Sequence, residues 1–413
     1  MLIEIISLLA IVVAIAIGFW RNINVGLIAI GFALILGYYV GEIPMNDIIG
    51  FWPTKLFIMT FGITLLFSIA KLNGTLEKIS KTIIALSRGK KVLVPILFYV
   101  LAVIIASVGP GNISTSALLL PIGLAIGYRT KISPLMMSTL IITGSIAGGL
   151  SPLAPNGIVA LDLASSNGVG DLGVSIYIVN VISMTIFSGI FFLVLGGLKL
   201  RGDVVQIEKA GKFNKHQIMT LVAIFALILW VLIGEVNVGL AGFALSAVLI
   251  IFKAADQNEA IKHVPWSTLL LICGMAVLIG VVDELGGVAL LTTLLSDLMT
   301  QITAIPIMAA LAGVMSIFSS AVGVVMPTLI PTAADIATDL GGIVTGSALT
   351  IAIAVGSHIV TMSPLSTMGA LALATSPETV DKKKLFRDLF LTALGSLVFI
   401  AIFLGILAWI GYL

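Results

Sequence analysis

Charged residues are scarce in this chain: Asp, Glu, Lys and Arg make up only 10% of its 413 residues. Soluble domains carry about 25%, so the chain has too little polar surface to fold as one soluble domain. A single cysteine, Cys273, excludes a disulfide scaffold, and a net charge of +2 without a basic stripe excludes a nucleic-acid partner. Hydrophobic residues dominate instead, at 59%, with a mean hydropathy of +1.23. This composition predicts an all-α membrane protein with several spans.

Apolar runs between charged or Gly/Pro-rich segments predict about ten transmembrane spans. They lie near residues 2–19, 25–41, 55–71, 132–162, 173–198, 217–234, 236–252, 267–283, 345–376 and 388–412. Two further apolar stretches, 92–127 and 302–334, are interrupted in the middle by Gly, Pro and Ser. We interpret both as re-entrant hairpins, because irregular backbone at membrane depth is tolerated only where it is buried in protein or lines a cavity.

The distribution of basic residues supports this arrangement of spans and hairpins. It places every Lys and Arg except Lys55 on one side of the membrane, as the positive-inside rule expects of cytoplasmic loops. Exchanging either hairpin for a full span would destroy the segregation. The sequence therefore predicts that both termini are extracytoplasmic. The first apolar run lacks a basic leader and a cleavage site, and it is interpreted as a span.

The two halves of the chain resemble each other at an offset of about 212 residues. NVGL at Asn24–Leu27 returns at Asn237–Leu240, and residues 144–161 match residues 356–373 at 8 of 18 positions without a gap. Five spans per half is an odd number, so the second repeat is expected to be inverted relative to the first. Inverted repeats with interrupted segments at matching positions indicate a secondary transporter.

This interpretation defines the predicted units of the chain. The first inverted repeat covers 1–201, with its hairpin at 92–127 and a broken helix at 132–162; a cytoplasmic linker covers 202–214; the second repeat covers 215–413, with its hairpin at 302–334 and a broken helix at 345–376.

Four interrupted segments are expected to converge on one site. They are the tips GPGNIST (Gly109–Thr115) and SSAVG (Ser319–Gly323), and the broken helices at SPLAPNG (Ser151–Gly157) and SPLST (Ser363–Thr367). Carbonyl groups freed at a break can coordinate a cation such as Na⁺. Exposed amides at half-helix N-termini, together with Ser, Thr and Asn side chains, can bind an anion.

Polar residues in these segments are the candidate ligands. The candidate substrate-binding residues are Asn112, Ser114, Thr115, Asn156, Ser319, Ser320, His358, Ser366 and Thr367, and the candidate Na⁺ ligands are Asn112, Gly148, Ser151, Gly323 and Ser363. His358 is the one histidine inside a predicted span; it could bind a carboxylate, carry a coupling proton, or pack as a neutral side chain. The Ser-Pro pairs at 151 and 363 are also ordinary helix-start signals.

Two of these segments resemble a known family. GNISTSALLLPI (Gly111–Ile122) resembles the Ser-Asn-Thr hairpin signature of divalent anion/sodium symporters in the ion transporter superfamily, and GSIAGGLSPLAPN (Gly144–Asn156) resembles their unwound helix. The similarity is greatest to MatC-type malonate/dicarboxylate carriers. Asn112 falls on the family's Asn, whereas Gly111 and Ile113 replace its Ser and Thr, and the second tip has no Asn.

The resemblance implies a homodimeric elevator-type carrier in a prokaryotic cytoplasmic (inner) membrane. Its substrate would be a small di- or tricarboxylate such as malonate, succinate or malate, imported with Na⁺. Proton coupling, an antiporter or exporter of another anion, and the membrane subunit of a binding-protein-dependent carrier remain alternatives. An enzyme is not expected, because the spans hold almost no acids, bases or metal ligands, and no G-x-x-x-x-G-K-[ST] motif is present.

Overall fold

The computed structural model describes residues 2–21, 23–85, 90–200, 211–234, 236–377 and 379–413. The predicted linker 202–214 lies outside these ranges up to residue 210. The described part of the first half contains α1 (Leu2–Arg21), α2 (Val25–Leu34), α3 (Met45–Gly50), α4 (Thr54–Leu72), α5 (Thr75–Ala85), α6 (Leu93–Val108), α7 (Gly111–Arg129), α8 (Pro134–Gly149), α9 (Pro155–Ser166) and α10 (Ser175–Val194). A π-helical segment, Ile35–Val40, continues α2.

The second half repeats this order of helices. It contains α11 (Lys215–Leu232), α12 (Val238–Ile251), α13 (Gln257–Lys262), α14 (Trp266–Glu284), α15 (Gly287–Asp297), α16 (Ala304–Phe318), α17 (Met326–Leu329), α18 (Ala333–Asp339), α19 (Gly346–Ile359), α20 (Thr367–Thr375) and α21 (Lys382–Trp409). A π-helical segment, Ala321–Val325, precedes α17, and the 3₁₀ turn Val360–Met362 extends α19.

Seven helical segments in the described residues are long and apolar enough to cross a membrane. They are Met45–Leu72, Gly111–Arg129, Ser175–Val194, Trp266–Glu284, Ala321–Asp339, Gly346–Thr375 and Lys382–Trp409. Five of these coincide with predicted spans, which confirms an all-helical, multi-span membrane protein. The other two are the second arms of the predicted hairpins. Both arms are as long and apolar as a full span.

The remaining predicted spans correspond to shorter apolar helices of 10–17 residues. These are Leu2–Gly18, Val25–Val40, Pro134–Gly149, Lys215–Val231 and Val238–Ile251. A 17-residue helix is only about 25 Å long, which is below the roughly 30 Å of a hydrocarbon core. The number of ten spans therefore stays a prediction, while the apolar helices themselves are present.

The helices of the two halves occur in the same register. Helices α3, α4 and α5 recur as α13, α14 and α15 with both ends shifted by 212 positions, and α8 and α9 begin 212 positions before α19 and α20. The repeated asparagines start equivalent helices in the same way. Asn24 Oδ1 accepts from the Gly26 amide at 2.9 Å, and Asn237 Oδ1 accepts from the Gly239 amide at 3.0 Å.

Glycines hold the two halves together through reciprocal contacts. A Cβ on Gly26 of α2 would overlap the Leu270 carbonyl of α14, and one on Gly239 of α12 would overlap the Ile58 carbonyl of α4. Helix α2 therefore packs on α14 as closely as α12 packs on α4. Equivalent residues make the same contact twice, as expected of two halves related by a pseudo-two-fold axis.

The stretch 92–127 forms two helices joined at Gly109 and Pro110. Helices α6 and α8 run in the same direction, because Gly144 packs on the Tyr99 carbonyl and Gly148 packs on the Val103 carbonyl one turn later. The joint uses the conformational freedom of glycine, since Gly109 has a φ of 149° that side-chain-bearing residues rarely adopt.

Helix α7 runs in the opposite direction to α8. Gly123 packs on Ile141, whereas Gly127, four residues later, packs on Met137, four residues earlier. Helices α6 and α7 are therefore antiparallel, an arrangement that a re-entrant hairpin shares with two successive spans, so the re-entrant path stays a prediction. Its tip reaches the end of α8, because Gly149 lies against Asn112.

The stretch 302–334 repeats this arrangement. Gly356 of α19 packs on the Ala309 carbonyl of α16, and Gly346 at the start of α19 packs on Ala334 of α18. The return arm is less regular than α7, because it combines the π-helical segment 321–325 with α17, a 3₁₀ turn and α18. Pro327 and Pro331 in this arm lack the amide hydrogens of a regular helix.

Candidate functional site

Both broken helices are interrupted by the same turn. The Ser151 hydroxyl accepts from the Leu153 amide (3.2 Å), and the Ser363 hydroxyl, 212 positions later, accepts from the Leu365 amide (3.3 Å). A serine hydroxyl that bonds the amide two residues on stabilises a turn in place of the helix. The two Ser-Pro pairs therefore build the breaks.

The interrupted segments surround a cavity of about 440 Å³. Most of the predicted substrate-binding residues line it, namely Asn112, Asn156, Ser319, Ser320, His358, Ser366 and Thr367. The hairpin tips, the start of α9, the end of α19 and the start of α20 with the turn before it supply these residues. The structure thus brings together segments that lie far apart in the sequence.

A chain of hydrogen bonds connects three of these lining residues. Asn156 Nδ2 lies 3.1 Å from Asn112 Oδ1 and 2.9 Å from His358 Nε2. Asn112 begins the first hairpin's return arm, Asn156 begins α9, and His358 belongs to α19 of the second half. The side chain of Asn156 therefore joins the two halves at the wall of the cavity.

Backbone groups at both ends determine which atom donates and which accepts in each of these hydrogen bonds. Asn112 Oδ1 accepts from the Ile113 amide (2.9 Å), so it also accepts from Asn156. At the other end, His358 Nδ1 lies 2.7 Å from the Ala354 carbonyl, which can only accept. Nδ1 therefore carries a hydrogen, and Nε2 accepts from Asn156, so His358 is a neutral imidazole with a defined tautomer.

Two polar atoms of the asparagines remain available to a ligand. Within the described chain, Asn112 Nδ2 and Asn156 Oδ1 have no hydrogen-bond partner, and both residues line the cavity. The first atom is a donor and the second is an acceptor. They belong to two amide groups that are themselves joined by the Asn156–Asn112 hydrogen bond.

The two asparagines of the cavity have apolar counterparts in the second half. In the second half, Val324 occupies the position equivalent to Asn112, and Met368 occupies that of Asn156; both line the cavity. Met368 Sδ accepts a hydrogen bond from Ser116 at 3.3 Å. None of the lining residues that the structure describes is Asp, Glu, Lys or Arg.

Two predicted substrate-binding residues lie outside the cavity lining. Ser114 is half-buried on α7, and Thr115 is fully buried there, with a hydroxyl that has no hydrogen-bond partner among the described residues. Thr115 is one helical turn after Gly111, which packs on Pro155. It therefore lies on the face of α7 that meets the first broken helix.

The predicted Na⁺ ligands occupy several different environments. Gly148 packs on α6, and its carbonyl accepts from the Ser151 amide at 3.1 Å. Gly323 packs on Leu271 of α14, and its amide donates to the Ser320 hydroxyl at 3.1 Å. Of the five positions, only Asn112 belongs to the cavity lining, while Ser151 and Ser363 form the turns.

Sequence reasoning missed the contribution of α2 and α14 to the cavity. Asn24 and Ser267 both line it, and Asn24 Nδ2 donates to the Ser267 carbonyl at 2.8 Å. Asn24 begins the repeated NVGL string, so the repeat marked it. Its position beside the hairpins depends on the Gly26 contact with α14, which no local pattern predicts.

The first third of the chain matches a known family model. Residues 1–149 match the family model "Dicarboxylate carrier protein MatC N-terminus". The resemblance to MatC-type carriers is therefore confirmed over these residues. They include α1–α8 and Asn112, whereas Asn156 and His358 lie beyond the match.

A solved transporter shares the fold over most of the chain. The crystal structure of the Alcanivorax borkumensis YdaH transporter, described as having an unusual topology, superposes with a TM-score of 0.59 over 89% of this chain and 87% of that chain. Sequence identity is 13%, so this similarity concerns the fold alone. No curated protein matches the chain.

Proposed function

We propose that this protein is a secondary active transporter of small carboxylates, such as malonate, succinate or malate. The observation that carries the proposal is the uncharged chain Asn112–Asn156–His358 at the wall of a cavity of about 440 Å³. This volume lies within the range of roughly 300–1,000 Å³ typical of small-molecule sites. The match of residues 1–149 to a dicarboxylate carrier model supports the same substrate class.

The mechanism follows from what the cavity offers a carboxylate. Hydroxyl and amide donors can replace the water around the anion, whereas the described lining residues include no Lys or Arg that could compensate its charge. An ionised carboxylate in such a site needs a co-bound cation or a proton to offset its desolvation. Transport would therefore be driven by a coupled ion gradient, in keeping with the absence of a nucleotide-binding motif from the sequence.

Na⁺ is our proposed coupling ion, carried with the substrate as cargo. Neutral oxygen atoms are the ligands that suit it, and the buried Thr115 hydroxyl without a partner faces the first broken helix. Carbonyl groups around the turn at Ser151 could complete a site there. The Asn112 side-chain oxygen already accepts two hydrogen bonds, so it is a weaker candidate than the sequence indicated.

Two inverted repeats and an elevator motion are the proposed architecture. Five predicted spans per half make the halves antiparallel across the membrane, and the reciprocal glycine contacts support a two-fold relation. The hairpins and broken helices would carry the cavity past α2 and α14, which form its other wall. Homodimerisation is expected from the family resemblance, and the mass of the purified protein in detergent tests it.

The proposed orientation in the inner membrane places both termini outside the cytoplasm. Lys55 is the one basic residue on the outer side, and its ammonium pairs with Asp162 at 3.3 Å, near the end of α9. Labelling of single cysteines introduced at Lys131 or Asp171 by an impermeant maleimide tests this orientation. Label should reach position 171 in intact cells and position 131 only in inverted vesicles.

Uptake into proteoliposomes tests the function directly. Labelled malonate and succinate are supplied with Na⁺ and pH gradients imposed separately, and we expect Na⁺-stimulated uptake. Asn112→Ala removes the acceptor of the Ile113 and Asn156 hydrogens as well as the free donor, and an unpaired buried group costs about 1–3 kcal/mol. Uptake at low substrate concentration should therefore fall at least about fivefold.

Asn167→Ala is the matched control, since that amide bonds the Leu163 carbonyl at the end of α9 and does not line the cavity. This variant should transport normally. Absence of uptake of any carboxylate under either gradient would refute the proposed function. Uptake that ignores Na⁺ but follows the proton gradient would refute sodium coupling alone.

A further inference from the structure

The free atoms of Asn112 and Asn156 are a donor and an acceptor on two hydrogen-bonded amide groups that both line the cavity. Asn112 Nδ2 can only donate and Asn156 Oδ1 can only accept, and neither can exchange roles. Reversing the Asn112 amide would turn its NH₂ group towards the Ile113 amide hydrogen, and reversing the Asn156 amide would remove the donor from His358 Nε2. The polarity of this pair is therefore a property of the fold.

An ionised carboxylate does not match this pair. Its two oxygens only accept, so one of them would face the lone pairs of Asn156 Oδ1. A protonated carboxyl group has one O–H donor and one C=O acceptor, and it complements both asparagines at once. A primary carboxamide has the same pattern and cannot ionise.

The surroundings of the pair also favour a neutral carboxyl group. Burial away from water disfavours the charged form of an acid, and the described lining residues supply no cation. Among the lining residues that the structure describes, His358 is the one titratable group, and both of its nitrogens are engaged. Arg21 follows Gly18 at the end of α1, and its guanidinium lies over the Trp20 ring rather than in the lining.

We propose that the cavity binds its dicarboxylate as the monoanion, with the protonated carboxyl group donating to Asn156 Oδ1 and accepting from Asn112 Nδ2. The other carboxylate stays ionised. The substrate itself then carries one proton through the membrane, and no side chain of the protein has to titrate. This inference rests on the proposed function and specifies the protonation state of its substrate.

Equilibrium binding to the purified protein tests the proposal without a gradient. Dissociation constants are measured from pH 5 to pH 8 for malonate and succinate, and for their monoamides malonamate and succinamate. The monoanion population falls about tenfold per pH unit above the second pKa of the acid. We expect the affinity for the dicarboxylates to fall about tenfold per pH unit in that range. The affinity for the monoamides should stay constant.

Dicarboxylate affinity that does not change with pH, together with no binding of the monoamides, would overturn the proposal. That result would leave the carboxylate transporter intact, whereas absence of binding by all four compounds would count against the proposed function itself. The series uses the unmodified protein, so its outcome does not depend on the folding of any variant.

A substitution of Asn112 then tests whether its Nδ2 is the donor to the bound carboxyl or carboxamide group. Asn112→Asp keeps an acceptor for the Ile113 amide but replaces the free NH₂ group by an oxygen. Monoamide affinity should fall at least tenfold. Asn237→Asp is the matched control, because aspartate caps a helix as well as asparagine does and Asn237 lies outside the cavity lining. Unchanged monoamide binding by Asn112→Asp would contradict the assigned contact.

Discussion

His358 is fully buried and connects the second half of the chain to the Asn156 amide. Its side chain acts as an acceptor through Nε2 and as a donor through Nδ1. We therefore propose that this histidine acts as a neutral group that positions Asn156, while the roles of substrate ligand and proton carrier stay predictions of the sequence.

Two substitutions at this position should have different effects. His358→Ala leaves one Asn156 hydrogen unpaired, which costs about 1–3 kcal/mol and should raise the KM for substrate roughly 5- to 100-fold. His358→Gln places an amide oxygen near the position of Nε2 and should recover most of that loss. Ion coupling should be unchanged in both variants, measured as the stoichiometry of uptake.

A loss of coupling in His358→Gln with a normal KM would contradict this positioning role. It would show that the imidazole itself carries the proton, because glutamine reproduces the hydrogen bond to Asn156 but cannot titrate.

The residues of the site were only partly predictable. Asn112, Asn156 and His358 each stood out as polar groups at a break. The bond between Asn156 and His358 joins residues 202 positions apart, so packing of the two halves decides it. Ser114, two positions after Asn112, is turned towards another face of α7, and Thr115, three positions on, is fully buried outside the cavity lining.

At the scale of single elements, the breaks were the most predictable features. Gly, Pro and Ser marked the interruptions at 109–110, 151–154, 319–320 and 363–366, and the helices end and restart there. Helix lengths were less predictable. Helices α2 and α12 start at asparagine caps and pack through glycines, and neither fact follows from hydropathy.

The glycine contacts between α2 and α14 give a stability prediction. Gly26→Ala places a methyl group against the Leu270 backbone, and overpacking of this kind costs about 1–3 kcal/mol. Thermal unfolding in detergent should occur several degrees lower than in the unmodified protein. Gly31→Ala on the same helix has open space around the new methyl group and should be neutral or stabilising.

Equal melting temperatures for Gly26→Ala and Gly31→Ala would contradict this prediction, because α2 and α14 would then accommodate the added methyl group without loss of stability. Gly239→Ala should reproduce the effect of Gly26→Ala, because the same contact recurs between α12 and α4.

At the scale of the whole molecule, the cavity has one wall of hairpins and broken helices and another formed by α2 and α14. An elevator requires these two walls to slide past each other. The sequence revealed the repeat, because its Gly, Ser and Pro residues align across the halves. It could not show which helices pair across the halves, because that pairing depends on backbone contacts at single glycines.

A reversible cross-link between the two walls tests the sliding motion. Gly323 of the second hairpin tip packs against Leu271 of α14, so Gly323→Cys with Leu271→Cys places two thiols close enough for a disulfide. Oxidation should stop uptake, and a reductant should restore it. The native Cys273 is buried and leaves little background.

A second pair separates the effect of motion from the effect of cross-linking. Gly123→Cys with Ile141→Cys joins α7 to α8, which lie on the same side of the cavity and would move as one body. Transport should survive oxidation of this pair. If both disulfides leave uptake intact, the hairpin does not slide past α14, and the substrate must cross by a local opening of the cavity instead. If both disulfides abolish uptake, movement of α7 relative to α8 is itself part of the transport cycle, because the second disulfide restrains only these two helices.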